Sequence, residues 1–479
     1  MAEQTEKEWN VDEILENAVS AAAVFSQLDQ RATDRIVRAV YKAGLNNRVR
    51  LARMAHDETG IGKWEDKVKK NVFATQYVYE SIKHLRTVGI IAEDEKNGIV
   101  EIAQPIGPVL AITPVTNPTS TAMFKILISL KTRNPIIISP HRKAVNCSVK
   151  AAKICYEAAL SEDAPEHCIQ WIEHPSREKT HAIMHHPKLS LIIATGGSGL
   201  VKEAYSSGTP AIGVGAGNVP VFIEKSADIP FAVEQILLSK TFDNGTVCAS
   251  EQFLVVEKGI AGPVIEEFKR QKAYFLNEEE IHLVEKVAFD EKRGLMNADI
   301  VGRSAKTIAD MAGIKIPADS LMLIAPLKGI GKEYPLSSEI LAPILAFYVA
   351  DDFDHAVNLC MELNFFGGMG HTVSIFSNDE GNIRKFALMM DAGRIVVNTP
   401  SSHGGIGGTY NTLDPSLTLG CGTAGKNITT DNITAKHLIN IQRIARCRMN
   451  ERVMRFNSGF YLDEKLDAEA IEREFNKNY

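Results

Sequence analysis

Residues 108–139, PVLAITPVTNPTSTAMFKILISLKTRNPIIIS, contain the pattern that decides the fold. An apolar run at 108–113 ends in the polar loop 114–119, and residues 122–130 then have the composition of a helix. A β-branched run follows at 135–139. A strand, a helix and a second strand in this order predict a βαβ unit with a parallel sheet. Strands buried on both faces of a parallel sheet are apolar almost throughout, as these two runs are.

The alternation of strands and helices continues along the chain and predicts an α/β protein. In the first block the further predicted elements are a helix at 145–160 and strands at 168–172 and 189–194. A second block begins near residue 240, with strands predicted at 254–256, 321–325, 373–376 and 394–398 and a helix at 353–363. Before both blocks, helices are predicted within 9–60 and 64–86, and a β-hairpin at 88–92 and 99–103.

The composition of the 479 residues is that of an ordinary globular protein and excludes several functional classes. A net charge of -6 lacks the clustered positive field of a nucleic-acid-binding protein. No run of about 18 apolar residues is present, and the polar start MAEQTEKEWN is not a signal peptide. Seven cysteines without CxxC spacing predict neither disulfides nor a metal site, and they favour a reducing cytoplasm.

Two N-terminal segments have competing interpretations. The lysines at 67, 69 and 70 stand beside two acidic residues, and this mixture predicts a solvated helix face rather than a basic binding patch. Residues 9–28 form an amphipathic helix pattern. The favoured interpretation is the first helix of the folded domain, and the alternative is a docking helix for a partner or compartment.

Cys248 is the candidate nucleophile. It lies in TFDNGTVCASEQ, residues 241–252, where a turn-rich stretch leads toward an apolar strand. Backbone N–H groups at such a junction can lower a thiol pKa and bind an oxyanion. A buried, inert cysteine explains the local sequence equally well. Cys421, in LGCGT, is the second candidate, whereas the remaining cysteines fall within predicted helices or at the start of a helix or strand.

Two glycine-rich loops are candidates for cofactor binding. ATGGSG, residues 194–199, follows an apolar strand and precedes a predicted helix, where glycines allow close approach of a phosphate or ribose. It is not a GxGxxG motif, and a simple strand-to-helix turn is an equal alternative. GVGAGN, residues 213–218, is open to the same two interpretations.

Five long segments together resemble the coenzyme A-acylating aldehyde dehydrogenases. They are 104–144, 193–218 (IATGGSGLVKEAYSSGTPAIGVGAGN), 242–252 (FDNGTVCASEQ), 367–372 (GGMGHT) and 398–422 (NTPSSHGGIGGTYNTLDPSLTLGCG). The chain is similar, from about residue 10 to residue 447, to the aldehyde dehydrogenase half of bifunctional aldehyde–alcohol dehydrogenases. Nothing here matches their iron-dependent alcohol dehydrogenase half, so conversion of the aldehyde to the alcohol is not implied.

The resemblance assigns catalytic roles to two residues. Cys248 matches the nucleophilic cysteine, and Asn117 matches the asparagine whose amide binds the thiohemiacetal oxyanion. Without the resemblance, an asparagine before proline would be interpreted as a turn residue. His371 and His403 lie in glycine-rich loops and are candidates for the aldehyde pocket, with a purely structural role in those loops as the alternative.

The resemblance also implies a set of cofactor-binding residues. They are Ser139, Pro140 and His141 at the adenosine ribose, Gly196, Gly197 and Ser198 under the pyrophosphate, Gly215 in the second glycine loop, and Glu339 at the nicotinamide ribose. Most relatives have a lysine near residues 139–141, so the choice between NAD and NADP stays open. Glu339 considered alone would be interpreted as a surface carboxylate.

A missing acid indicates the acyl acceptor. Hydrolytic aldehyde dehydrogenases carry a glutamate in the stretch that matches GVGAGN, whereas this chain has Gly213, Val214 and Gly215 there. Without a positioned general base, attack by water is slow, and a thiol is a much better nucleophile at neutral pH. The expected acceptor is therefore coenzyme A.

The expected architecture has three parts. A Rossmann-like cofactor domain spans 1–238 and carries a hairpin arm at about 86–104, a catalytic domain spans 239–410, and 411–479 form an oligomerisation segment and tail. The resemblance implies a homodimer or homotetramer that requires no metal and binds neither nucleic acid nor membrane. A bacterial microcompartment is the alternative to a cytoplasmic location.

The expected activity is NAD-dependent oxidation of a short aldehyde to its acyl-CoA, reversible, with acetaldehyde as the default. Sulfoacetaldehyde, succinate semialdehyde and butyraldehyde are alternatives. An anionic substrate requires an anchor, for which Arg394, His403 and the pair Ser401–Ser402 are candidates. A catalytically silent structural or docking subunit is the alternative of another class.

Overall fold

The computed structural model describes residues 10–215, 217–290, 294–449, 454 and 457–478. The elements of the first part are α1 (Val11–Phe25), α2 (Gln30–Asn46), α3 (Arg48–Thr59), α4 (Trp64–Val72), α5 (Val78–Ile82), β1 (Gly89–Asp94), β2 (Ile99–Pro105), β3 (Val109–Ile112), α6 (Pro118–Lys131), β4 (Ile136–Ser139), α7 (Val145–Leu160), β5 (Ile169–Trp171), α8 (Arg177–Met184), β6 (Leu191–Thr195), α9 (Ser198–Ser206) and β7 (Ala211–Val214). One π-helical turn, Phe73–Tyr77, joins α4 to α5.

The second part alternates strands and helices in the same way. Its elements are β8 (Pro220–Ile223), α10 (Ile229–Thr241), β9 (Phe253–Glu257), α11 (Ala261–Arg270), β10 (Ala273–Phe275), α12 (Glu278–Ala288), β11 (Phe289–Asp290), β12 (Leu295–Met296), α13 (Ala305–Met311), β13 (Met322–Pro326), β14 (Ile344–Ala350), α14 (Phe353–Gly367), β15 (Gly370–Phe376), α15 (Glu380–Met389), β16 (Ala392–Val397), α16 (Ser401–Ile406), β17 (Ile439–Ala445), α17 (Gly459–Leu462) and α18 (Ala468–Asn478). Four 3-10 turns lie between these elements, at Phe242–Gly245, Ala298–Ile300, Pro335–Ser337 and Ala435–Leu438.

The first sheet contains the βαβ unit that the sequence predicts. Its five parallel strands have the order β5-β4-β3-β6-β7, and Val109 pairs with Ile136 across β3 and β4. Every residue of β3, α6 and β4 is buried, because helices cover both faces of these central strands. The strand order reverses between β3 and β6, and ligands of such sheets bind beyond the carboxyl ends of the strands at that point.

The second sheet has seven parallel strands in the order β10-β13-β14-β9-β8-β15-β16. β8 already belongs to this sheet, so the chain changes sheets between Val214 and Pro220. This change comes before residue 238, where the sequence placed the end of the first domain. The three-part division of the chain stays a proposal.

A three-stranded antiparallel sheet projects from the first part. The hairpin predicted at 88–103 is present as β1 and β2, in which Glu93 pairs with Val100. β17 from near the end of the chain adds to its other edge, where Asn440 pairs with Gln104. Most side chains of β1 and β17 are exposed. We call this sheet the arm.

The N-terminal helix is part of the folded unit. Ile14, Leu15 and Ala18 of α1 are at most 3% exposed and pack against Leu110 and Ile137 of the first sheet. Burying two such aliphatic side chains stabilises the fold by about 3–6 kcal/mol. The apolar face is therefore occupied, which supports the folded-domain interpretation of 9–28 against the docking interpretation.

Among the described residues, no helix combines the length and apolar composition that a membrane crossing requires.

Candidate active site

A cavity of about 1350 Å³ lies between the two parallel sheets and contains most of the predicted site residues. Ile112, Ser139, Thr195 and Val214, which end β3, β4, β6 and β7, form one side of it. The opposite side comes from the second part of the chain and includes Cys248. The cavity is thus placed where an α/β sheet binds its ligand.

Most of the predicted cofactor-binding residues line the end of the cavity formed by the first sheet. Those that do so are Ser139, Pro140, His141, Gly196, Gly197 and Gly215, whereas Glu339 lines the side that comes from the second part of the chain, where its charge acts on Cys248. Ser198 begins α9 and lies beside Gly215, where an added Cβ would be 3.8 Å from the Ser198 hydroxyl oxygen. The amino end of α9 therefore points toward the cavity, where its N–H groups and dipole favour a pyrophosphate.

Two unsatisfied hydroxyl groups support a polar ligand at this end. Thr113 Oγ1 and Thr195 Oγ1 are buried and have no hydrogen-bond partner among the described residues, and both residues line the cavity. A buried hydroxyl without a partner is costly unless a ligand or water completes it. The residues present therefore fit the nicotinamide dinucleotide that the sequence implies.

Cys248 reaches the cavity because the preceding turn is strained into the left-handed region. Asp243, Asn244 and Gly245 have φ angles of 47°, 53° and 76°. A Cβ on Gly245 would lie 2.8 Å from the Ala342 carbonyl oxygen, so only glycine fits there. Cys248 itself is partly exposed. This placement favours the nucleophile interpretation over the inert one.

The other cysteines are placed less favourably. Cys421 is buried outside the lining of the cavity, with its thiol directed at the Leu419 carbonyl at 3.4 Å. Burial raises the pKa of Cys421 to about 11. Four others are buried, and Cys447 is exposed on the surface away from the cavity.

Glu339 and Cys248 influence each other across the cavity. Burial, followed by the neighbouring Glu339 carboxylate, raises the pKa of the Cys248 thiol to about 12. Burial also raises the pKa of Glu339 to about 7, although the backbone N–H of Gly217 donates to its Oε1 at 3.3 Å. The thiol is therefore protonated in this state, and loss of the Glu339 charge favours the thiolate.

Asn117 directs its amide at the cysteine loop. It is the N-cap residue of α6, but its side chain does not cap the helix. Its Nδ2 donates weakly to Thr116 Oγ1 (3.2 Å) and to the Thr246 carbonyl (3.4 Å), while its Oδ1 accepts from Lys70 Nζ at 2.6 Å. The side chain therefore takes part in the cavity wall rather than in a simple turn.

The solvated-face interpretation of the lysines on α4 is wrong. Lys67 and Lys70 are 3% and 6% exposed, and both donate to the buried carboxylate of Asp243, at 3.0 Å and 2.5 Å. Only Lys69 points outward, paired with Asp66. The spacing of 67 and 70 places both lysines on one helix face, but their partner is more than 170 residues away in the sequence.

The end of the cavity beyond Cys248 is largely apolar. Phe242, Ile406, Leu417 and Leu419 line it together with His403. The His403 ring packs against the Phe242 ring with 4.6 Å between the ring centroids and 55° between the ring planes, and burial lowers the pKa of His403 to about 4. His403 is therefore neutral at physiological pH and lies where the sequence placed it.

His371 lies behind the wall of the cavity, contrary to expectation, and so do three of the candidate anchors, Arg394, Ser401 and Ser402. His371 is 1% exposed, its Nδ1 is 2.9 Å from Thr372 Oγ1, and it does not line the cavity. Arg394 is buried and donates to the carbonyls of His371, Gly420 and Thr430. Ser401 and Ser402 are also buried away from it. The glycine-rich sequences around these residues do not indicate whether a side chain is buried behind the wall or lines the cavity.

The site can be compared with known proteins. The model of the aldehyde dehydrogenase family matches residues 2–278, more than half of the chain. The chain belongs to the aldehyde dehydrogenase family. Aldehyde-alcohol dehydrogenase 2 of Entamoeba histolytica is 45% identical to this family member over 459 residues, which are 93% of this chain and 53% of that protein. This chain thus spans about half the length of that relative.

Solved structures of other aldehyde dehydrogenases superimpose closely on this one. An acetylating aldehyde dehydrogenase from Geobacillus thermoglucosidasius is 50% identical with a TM-score of 0.90, covering 92% of this chain and 97% of that one. A propionaldehyde dehydrogenase from Rhodopseudomonas palustris, with bound CoA and an acylated cysteine, is 28% identical with a TM-score of 0.81, covering 91% and 97%. These matches confirm the α/β fold and the resemblance to acylating aldehyde dehydrogenases.

Proposed function

We propose that this protein oxidises a short-chain aldehyde with NAD and transfers the acyl group to coenzyme A through an acyl-cysteine at Cys248. The observation that best supports this proposal is that Cys248 and Asn117 line one cavity whose other end has the features of a dinucleotide site. The reaction is reversible, so the same residues also reduce acyl-CoA to aldehyde.

Cys248 and Asn117 perform the first half of the reaction. Once deprotonated, Cys248 Sγ attacks the carbonyl carbon of the aldehyde, and the carbonyl oxygen becomes an oxyanion. The N–H groups of Asn117 Nδ2 have only weak partners at 3.2 and 3.4 Å, so they are available to donate to it. A nicotinamide bound at the cofactor end would supply the acceptor for the hydride that leaves as the oxyanion collapses. The acyl group then remains on sulfur as a thioester.

The second half needs a nucleophile that requires little activation. The stretch Gly213–Gly215 carries no acid, and the carboxylates that line the cavity are Glu178, Glu203 and Glu339. We assign Glu339 to the nicotinamide ribose, and Glu178 and Glu203 belong to α8 and α9 at the cofactor end. The thiol of coenzyme A therefore competes better than water for the thioester.

The aldehyde end favours a small uncharged substrate, and we propose acetaldehyde. Its lining is mainly apolar, and its polar groups are Asn117, Thr246, Thr409, neutral His403 and the lysines of α4. Lys69 is paired with Asp66. Lys70 directs its hydrogen bonds to Asp243, Asn117 and Thr246, so it has no donor left for a sulfonate or carboxylate. Sulfoacetaldehyde and succinate semialdehyde are accordingly the less favoured substrates, and butyraldehyde differs only in size.

We propose that NAD is the cofactor and that NADP is also accepted. Arg142 and Arg177 line the cofactor end and have no hydrogen-bond or ion-pair partner within the described part of the chain. Two guanidinium groups beside the ribose position suit a phosphate monoester, which NADP carries on the adenosine ribose.

We also propose a homodimer or homotetramer that assembles through the arm. Ile441 and Ile444 of β17, at one edge of the arm, are 40% and 43% exposed, and Ile90 of β1, at the other edge, is also exposed. An edge strand with exposed aliphatic residues is suited to pairing with another chain. The cytoplasm is the proposed location, since all seven cysteines are free thiols.

Substitution of two cysteines tests the proposal. Cys248→Ala is expected to abolish NADH formation, whereas Cys421→Ala, a matched change at a buried thiol outside the cavity lining, is expected to retain it. Mass spectrometry of the wild-type protein with acetaldehyde and NAD should show an acetyl group on the peptide that contains Cys248. Full activity of Cys248→Ala would overturn the proposal.

A further inference from the structure

Lys70 occupies a position that the reaction as proposed does not use. It lies on α4, is nearly fully buried, and contacts the wall of the cavity beside Asn117. Its ammonium donates to Asn117 Oδ1 at 2.6 Å, to Asp243 Oδ2 at 2.5 Å and to Thr246 Oγ1 at 2.9 Å. One ammonium thus joins α4, the start of α6 and the turn before Cys248. We call Lys67, Lys70, Asp243 and Thr246 the Asp243 cluster.

The chemistry of an ammonium group decides how the Asn117 amide is oriented. The two ends of an asparagine amide are alike in size, but only Oδ1 accepts hydrogen bonds and only Nδ2 donates them. An ammonium has donors alone, so it binds Oδ1 and leaves Nδ2 on the other side. Asn117 is not held by capping α6, because its side chain makes no capping hydrogen bond. Lys70 is therefore its strongest partner.

The Asp243 cluster also carries an excess positive charge. Two ammonium groups, of Lys67 and Lys70, share the one buried carboxylate of Asp243. The nearby Asp66 carboxylate is already paired with Lys69 at 2.9 Å. Burial lowers the pKa of Lys70 to about 8, while Asp243 opposes this change, so Lys70 is mainly charged at neutral pH. Lys70 is the charged group of the cluster that contacts Asn117, and Asp66, which accepts from the Asp243 backbone N–H at 2.9 Å, offsets part of the excess charge.

We infer that Lys70 is a positioning residue for the reaction: it holds the Asn117 amide with Nδ2 toward Cys248 and places a positive charge behind the oxyanion. A charged donor on Oδ1 polarises the amide and strengthens the hydrogen bonds that Nδ2 donates. The inference rests on the proposed function, because it needs an oxyanion to form at Cys248. Both acylation and attack by coenzyme A pass through such an oxyanion.

Lys67 provides a matched control on the same helix. Its Nζ donates to the same Asp243 oxygen at 3.0 Å and to the Thr116 carbonyl at 3.0 Å, but it makes no hydrogen bond to Asn117. It does not line the cavity. Lys67→Met and Lys70→Met therefore each leave Asp243 with one ammonium partner, and only the second removes the contact with Asn117.

The test is the NADH burst in a single turnover with acetaldehyde and NAD. Lys70→Met is expected to slow the burst about tenfold or more, and Lys67→Met less than about threefold. The variant Lys70→Met/Asn117→Ala should be about as slow as Asn117→Ala alone, because both changes affect one hydrogen-bonded unit. Lys70→Gln gives the same comparison if Lys70→Met does not fold, with a slowing of about fivefold or more.

Alkylation of Cys248 by iodoacetamide separates positioning from general damage. That reaction forms no oxyanion, and the charged groups that act most strongly on the thiol are Glu339 and Arg394. Lys70→Met should therefore be alkylated at the wild-type rate. Equal slowing of the burst by Lys67→Met, additive losses in the double variant, or a parallel fall in alkylation would each overturn the inference. A wild-type protein without a burst would instead overturn the proposed function itself.

Discussion

The coupling of Glu339 to Cys248 predicts that removing a carboxylate makes the cysteine more reactive. Glu339 is the charged group that raises the pKa of the thiol most, and burial raises its own pKa to about 7. An ionised neighbour in a buried site changes the thiolate fraction about tenfold. Glu339→Gln should therefore increase the rate of iodoacetamide reaction with Cys248 about tenfold above pH 7, where the wild-type carboxylate is charged.

The pH dependence of the alkylation rate tests independently whether the Glu339 charge raises or lowers the pKa of the thiol. In the wild-type protein, ionisation of Glu339 raises the pKa of the Cys248 thiol. The alkylation rate should therefore rise less than tenfold per pH unit around pH 7, where Glu339 ionises. The Glu339→Gln profile should lack this shallow region. The assay is performed without cofactor, which keeps loss of the ribose contact out of the measurement.

Glu203→Gln is the matched control, since Glu203 also lines the cavity but is not among the main groups that shift the pKa of Cys248. Its alkylation rate should equal that of the wild-type protein. An unchanged or lower rate in Glu339→Gln would refute the reasoning, because it would mean that Glu339 assists deprotonation of the thiol instead of opposing it.

Three further predictions concern the oxyanion site, the cysteine turn and the cofactor end. Asn117→Ala should lower kcat about 100-fold to 1000-fold with little change in NAD affinity, measured by steady-state kinetics and cofactor titration; a loss below tenfold would contradict the assigned role. Gly245→Ala should destabilise the protein by about 2–4 kcal/mol and so lower Tm, because residue 245 has a left-handed φ and an added Cβ would contact the backbone. Gly259→Ala is the control and should leave Tm unchanged, because a Cβ there meets open space. Equal melting temperatures of the two variants would contradict this prediction. The double change Arg142→Ala/Arg177→Ala should raise KM for NADP more than KM for NAD, and equal increases would argue against a phosphate contact.

The first sheet could be predicted because its information is local. The apolar runs at 109–112 and 136–139 and the fully buried helix between them follow from hydrophobic pattern and length alone. The hairpin β1–β2 was equally accessible, but its third strand was not placed in the sheet. β17 is separated from β2 by more than 330 residues, and no local pattern specifies such a pairing.

The residues of the candidate site also differ in whether a local sequence pattern could place them. Cys248 and Gly196, which follow a turn and a strand end, both line the cavity. The histidines could not be distinguished, since both stand in glycine-rich loops and only packing separates buried His371 from His403 in the cavity. The role of Lys70 was missed because a buried lysine is recognisable only when its distant carboxylate, here Asp243, is known.

The position of Cys248 in the wall of the cavity explains why the acyl acceptor matters. A thioester in a buried site persists until a nucleophile enters the cavity, and the residues lining it include no acid in the second glycine loop. The most direct measurement is NADH formation from acetaldehyde and NAD with and without coenzyme A. Acyl transfer to coenzyme A predicts a single burst of NADH without coenzyme A and sustained turnover with it. Equal sustained rates in both cases would mean that water cleaves the acyl-enzyme, and this would contradict acyl transfer to coenzyme A.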